Sequence, residues 1–167
     1  MINIYKENNK IGGHNNLVLE ISLAEFKQIT DTYYFSLDNG FLEKDESIKK
    51  TNLNIINLLG NWLLEVEKIV EGEFIFLPFD FSDEYLGCLK VFKNVNNTLC
   101  ISYGITTAYN GVSLSPSEYP NNFELDLFDF LEENIKKIEL SFKEFEKSIK
   151  NSIDKFNSKE GNIEWLN

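Results

Sequence analysis

The chain has 167 residues, 43% hydrophobic and 14% aromatic, which predicts one globular domain over 1–167 and excludes a disordered chain. A domain of about 150 residues buries roughly 70% of its unfolded surface, so no disulfide or metal staple is required. Sixteen lysines, no arginine and 27 acidic residues leave a net charge of −11, which argues against nucleic-acid and membrane binding.

Such a surface attracts basic proteins, although for an arbitrary acidic chain the simpler reading is that acidity aids solubility. The opening "MINIYKENNK" has neither an apolar signal core nor a basic leader, and no apolar run spans a bilayer. The expected location is cytoplasmic.

In "LVLEISL", Leu17, Leu19, Ile21 and Leu23 alternate, predicting a strand with one buried face. Ser22 and Glu25 could instead cap a short helix across "LAEFKQI". A second strand is expected in "TYYFSL", ended by Asp38-Asn39-Gly40. From Ser47 to Val70 the period becomes helical: Ile55, Leu59, Trp62, Val66 and Ile69 form one stripe, widened by Ile56, Leu63 and Val70. Gly60 weakens this helix, and close packing would explain it.

A meander follows, in "EFIFLPF", "YLGCLKVF", "TLCISYGITT" and a short "VSLS". Asn96-Asn97 supplies one turn and Asn110-Gly111 another, while Pro78 marks a strand end or a sheet edge. From Pro120 and Asn122, Phe128, Leu131, Ile135, Ile138, Phe142, Phe145 and Ile149 recur at three and four, with Phe156 beyond. This predicts one long helix packed on the sheet, burying Trp62, Phe128, Ile135, Ile138 and Phe142 at the contact. The resulting order, β-β-α-β-β-β-β-α, gives an α+β domain: an antiparallel meander against two main helices.

Chemistry-bearing residues are few. With a two-residue turn at Asn96-Asn97, Cys88 and Cys100 point to opposite faces, and two isolated thiols are too few for zinc. His14, in "IGGHNN", reads as an exposed loop residue, and Gly12-Gly13 lacks the lysine of a phosphate loop. In "LPFDFSDEYLG", Asp80, Asp83 and Glu84 lack the alternating ligands of a calcium loop, so neither metal nor cofactor is expected. Asp80, between Phe79 and Phe81, reads as a structural turn residue. The remaining acids and tyrosines, Asp83, Glu84, Tyr85, Tyr103, Tyr109, Glu118 and Tyr119, are the candidate partner-binding set. Tyrosines beside carboxylates suit an interface that receives lysine and arginine.

The runs "GEFIFLPFDFSDEYLGCLKV" and "LCISYGITTAYNGVSLSPS" resemble small bacterial immunity proteins of contact-dependent growth inhibition and related polymorphic toxin systems. The resemblance lies in Leu77 to Asp83, Gly87-Cys88, Tyr103-Gly104 and Ser115 to Ser117. It implies a non-enzymatic cytoplasmic protein that binds the C-terminal domain of a cognate toxin and occludes its active site. Many such toxins are basic nucleases, which suits the charge of −11. Two competitors are an acidic secretion chaperone and a small carboxylate-dependent enzyme. Such chaperones work as dimers, whereas the immunity reading favours a monomer.

Overall fold

The computed structural model describes residues 1–11, 14–40, 47–111, 114–125, 129–133 and 136–158. The first sheet is antiparallel, β1 (Ile2–Ile11), β2 (His14–Ile21) and β3 (Phe26–Asp31), with β2 in the middle. Helices α1 (Tyr33–Leu37) and α2 (Ser47–Lys68) follow. The second sheet runs through β4 (Phe74–Phe81), β5 (Leu86–Lys93) and β6 (Thr98–Thr106), with β7 (Phe130–Glu132) and β8 (Ile138–Ser141) both paired to β6. Helix α3 (Phe142–Ser158) comes last. The class is α+β, with antiparallel strands before and after the helices.

One apolar cluster joins Ile2, Leu19, Phe35, Trp62, Leu89 and Phe145, and so draws on both sheets and all three helices. The stripe Ile55, Leu59, Trp62, Val66 and Ile69 is buried as its spacing requires. Val70 is exposed, because the helix ends at Lys68 and the chain has turned away. Gly60 has no atom within 4 Å of where a Cβ would sit, so close packing does not explain it. In β2 both faces are buried at Leu17, Val18 and Leu19, as befits a central strand.

Registers set the second sheet's faces. Leu77 opposes Leu89 and Leu89 opposes Tyr103, while Val91 and Ile138 both oppose Ile101. Facing residues share a side, and these six are all buried. Pro78 lies within the edge strand β4, next to a bulge between Pro78 and Asp80 that lets the strand run on to Phe81.

Several expected elements differ. The β5–β6 hairpin closes through Val95-Asn96-Asn97, with Asn94 N donating to Thr98 O at 2.8 Å and positive φ at both Asn96 and Asn97. This three-residue loop pairs Phe92 with Cys100 and Cys88 with Gly104, so the two thiols share a face, well separated along it, and both are free. "TYYFSL" contains a helix: Asp31 Oδ1 accepts from Tyr33 N at 2.8 Å, and Asn54 Nδ2 donates to Phe35 O and Asp38 O at the far end. These side-chain bonds at the two ends override the aromatic strand propensity. "LAEFKQI" contributes strand β3, after a 3-10 turn at Ser22–Ala24.

The long C-terminal helix is interrupted. Leu131 is in β7, and Ile138 and Leu140 are buried around exposed Glu139 in β8, a period of two. The helix starts only at Phe142, where Ser141 and Glu144 form a reciprocal cap: Ser141 N and Oγ donate to Glu144 Oε2 at 2.8 and 2.7 Å, and Glu144 N donates back to Ser141 Oγ at 3.3 Å. Phe145, Ile149 and Phe156 are buried, Phe142 only partly. Phe128 and Ile135 lie outside the described residues, as do Gly12-Gly13 and the first half of "VSLS".

Candidate partner-binding face

The bulge in β4 rotates Asp80 out of the regular alternation and buries its carboxylate between the two sheets. Thr30 Oγ1 donates to it at 2.5 Å, Gln28 Nε2 at 2.8 Å and the Tyr85 hydroxyl at 3.2 Å. Burial still pushes the Asp80 carboxyl above its usual range, against these three donors. Burial and the adjoining Asp80 together push the Tyr85 hydroxyl up to about 12, so it stays a donor at neutral pH. Asp80 therefore clamps β3 to β4 and spans the 82–85 turn, a wider role than holding its own turn.

Beside it, Gly87 and Tyr103 need one another. A Cβ on Gly87 would lie 2.1 Å from the Tyr103 hydroxyl oxygen and 2.9 Å from Asp80 Cβ. Gly104 is equally constrained, because a Cβ there would lie 2.4 Å from Leu131 O. Tyr103 is wholly buried, its ring 4.9 Å from Phe26, and its hydroxyl has no hydrogen-bond partner among the described residues. Cys88 is buried too, and burial holds its thiol well above the ordinary range, so it packs as an apolar group. The residues that resemble immunity proteins, from Asp80 through Gly87-Cys88 to Tyr103-Gly104, thus form a packing unit. What they position is the turn.

That turn exposes Asp83 and Glu84, with Glu84 N donating to Ser82 Oγ at 3.2 Å. Gly111 N donates to Asp83 O at 2.9 Å, fastening the 107–111 loop to it. Burial, with the nearby Asp83 carboxylate, pushes the Tyr34 phenol of α1 up to about 12. Among the described residues, neither Asp83 nor Glu84 is in an ion pair; the five such pairs lie at Glu7–Lys27, Glu65–Lys68, Lys90–Glu132, Glu132–Lys137 and Glu146–Lys150.

Of the seven candidate contact residues, the fold brings Asp83, Glu84 and Tyr85 together at one end of the second sheet. Tyr109 adjoins them, but is half-buried and stacked on Phe123 at 5.7 Å, with its hydroxyl donating to Glu124 O at 2.7 Å and accepting from Glu124 N at 2.8 Å. Glu118 is turned inward to accept from Ser115 N at 2.6 Å. Tyr119, just after the 3-10 turn at Pro116–Glu118, is buried edge-on to Phe123, and Tyr103 is in the core; neither offers a surface, because the large aromatic area outweighs the single hydroxyl. Asp31 and Tyr34, which local sequence pattern does not single out, also lie near this turn. Asp31 directly follows the "FKQIT" run, and only the tertiary fold places it by the turn.

Among the described residues no group of three or more His, Cys, Asp or Glu side chains could hold a metal ion, and no helix is long and apolar enough to cross a membrane. No protein-family model and no curated protein matches the chain. Among solved structures, the chain is similar in fold to one from the CdiA-CT/CdiI toxin and immunity complex of Enterobacter cloacae, at 11% identity and a TM-score of 0.48, covering 95% of this chain and 99% of that chain.

Proposed function

We propose that the chain is a non-enzymatic immunity protein that binds the C-terminal domain of a cognate bacterial toxin, a basic nuclease, and occludes its active site. The observation that carries this reading is the turn at Asp83 and Glu84. Two exposed carboxylates, without lysine partners among the described residues, are held on a scaffold clamped by Asp80. Fixed charges of this kind steer a basic partner and cost little reorganisation on binding. The resemblance of Leu77 to Asp83, Gly87-Cys88, Tyr103-Gly104 and Ser115 to Ser117 to immunity proteins supports the same reading. It acts as a monomer in the cytoplasm, with no cofactor.

The test is co-expression with the C-terminal domain of a large toxin encoded by a neighbouring gene. Growth should be restored and the two proteins should purify as a complex. Arrested growth despite abundant folded protein would contradict the reading.

A further inference from the structure

Beyond the turn, the surface continues onto the first sheet. On β3, Lys27, Ile29 and Asp31 face outward while Gln28 and Thr30 turn inward, towards Asp80. The chain then enters α1, where Tyr33 and Leu37, four residues apart, lie on one side. Ile29, Tyr33 and Leu37 are 46%, 41% and 54% exposed, three large apolar groups gathered on one strand–helix corner. Scattered apolar residues on a surface need no explanation, but a group beside uncompensated charge marks a contact surface.

The corner and the turn are joined. The Tyr34 hydroxyl lies within electrostatic reach of Asp83, and the Tyr33 and Tyr34 rings meet edge-on at 5.4 Å. Asp31 lies within electrostatic reach of Tyr34, Tyr85 and Asp80. The bordering lysines are engaged: Lys27 pairs with Glu7 at 2.6 Å, and Lys50 donates to Asn39 Oδ1 at 2.5 Å and Leu37 O at 3.4 Å. Asp31, Asp83 and Glu84 have no ion pair among the described residues.

We infer that the partner-binding face is bipartite, the acidic turn at Asp83 and Glu84 acting together with the β3–α1 corner of Ile29, Asp31, Tyr33 and Leu37. Its occupant is a protein surface that carries lysine or arginine beside aliphatic groups. Arginine suits it best, because a guanidinium can pair with a carboxylate while stacking on a tyrosine ring. A second copy of this chain would set acid against acid, and nucleic acid would be repelled. This inference rests on the immunity reading and assigns the surface that reading needs. The Asp80 clamp fixes the two halves relative to each other, so a rigid partner can engage both at once.

The experiment measures binding kinetics of the neighbour-encoded toxin domain with wild type, Asp83→Lys/Glu84→Lys and Tyr33→Ser/Leu37→Ser, each checked for folding by melting. The corner variant should dissociate at least about tenfold faster, as expected when central apolar contacts are removed. The turn variant should mainly associate more slowly. If Tyr33→Ser/Leu37→Ser melts early, Ile29→Lys on the neighbouring strand takes its place, with the same loss expected. Wild-type kinetics in the corner variant, with a weakened turn variant, would overturn the bipartite face and leave the immunity reading intact. Absence of wild-type binding would overturn both.

Discussion

The Thr30 hydroxyl donates to the Asp80 carboxylate at 2.5 Å, fastening β3 of one sheet to β4 of the other. With Gln28 and Tyr85 on the same carboxylate, the contact fixes where the 82–85 turn stands. The candidate face depends on that placement.

Burial raises the Asp80 carboxyl above its ordinary value of 3.8, so the folded state holds this proton more tightly than the unfolded chain. Its contribution to stability is fully present below 3.8 and is lost as pH rises through the folded value. Asp80→Asn keeps an acceptor for Thr30, and Gln28 can turn its carbonyl towards the new amide. In urea unfolding across a pH series, the stability of wild type relative to Asp80→Asn should fall as pH rises above 3.8. A difference independent of pH would mean that the carboxyl is not desolvated.

Gly87 and Tyr103 predict a rescue. Gly87→Ala drives a methyl into the Tyr103 hydroxyl and should cost about 1–3 kcal/mol, the usual range for overpacking. Tyr103→Phe removes a buried, unpartnered hydroxyl and should be neutral or stabilising alone. Combining the two should recover part of the loss in chemical denaturation. Simple additivity would place the clash elsewhere.

Phe145 is wholly buried and Phe142 only partly so. Phe145→Ala should cost about 3–5 kcal/mol, and Phe142→Ala distinctly less. Equal losses would indicate that α3 seats both rings alike.

Gly60 stands inside α2 with open space where its side chain would be. Gly60→Ala should stabilise the protein by about 0.5–1 kcal/mol, the intrinsic helix preference. A loss in thermal melting would reveal a contact that this backbone does not contain.

The α2 stripe was legible because its apolar spacing alone decides which side is buried. The C-terminal half was less so. Ile138 fits a helical stripe with Phe142 and Phe145 and equally fits alternation with Leu140; Ser141-x-x-Glu144 was the decisive signal, since a reciprocal cap starts a helix at Phe142. For Tyr33 to Leu37, aromatic content suggested a strand, while Asp31 and Asn54 supply the helix's end groups from outside it. At the candidate face, Asp83, Glu84 and Tyr85 could be read as one local group. Asp80's partners could not, because Gln28 and Thr30 lie 52 and 50 residues away in sequence. Tyr103 and Tyr119 are buried, and composition cannot tell a tyrosine facing solvent from one packed in the core.

The immunity reading requires Asp83 and Glu84 to meet a basic toxin domain. Asp83→Lys/Glu84→Lys should leave folding intact, since exposed substitutions usually change stability by only about 0.5 kcal/mol. The measurement is a kinetic binding assay with the cognate domain at two salt concentrations. The variant should associate more slowly, and rising salt should slow wild type more than the variant, because screening removes an attraction the variant lacks. If partner lysines bury the acids, dissociation should speed up too, with a total loss of about 2–5 kcal/mol. Wild-type association, dissociation and salt response in a correctly folded double variant would contradict the claim.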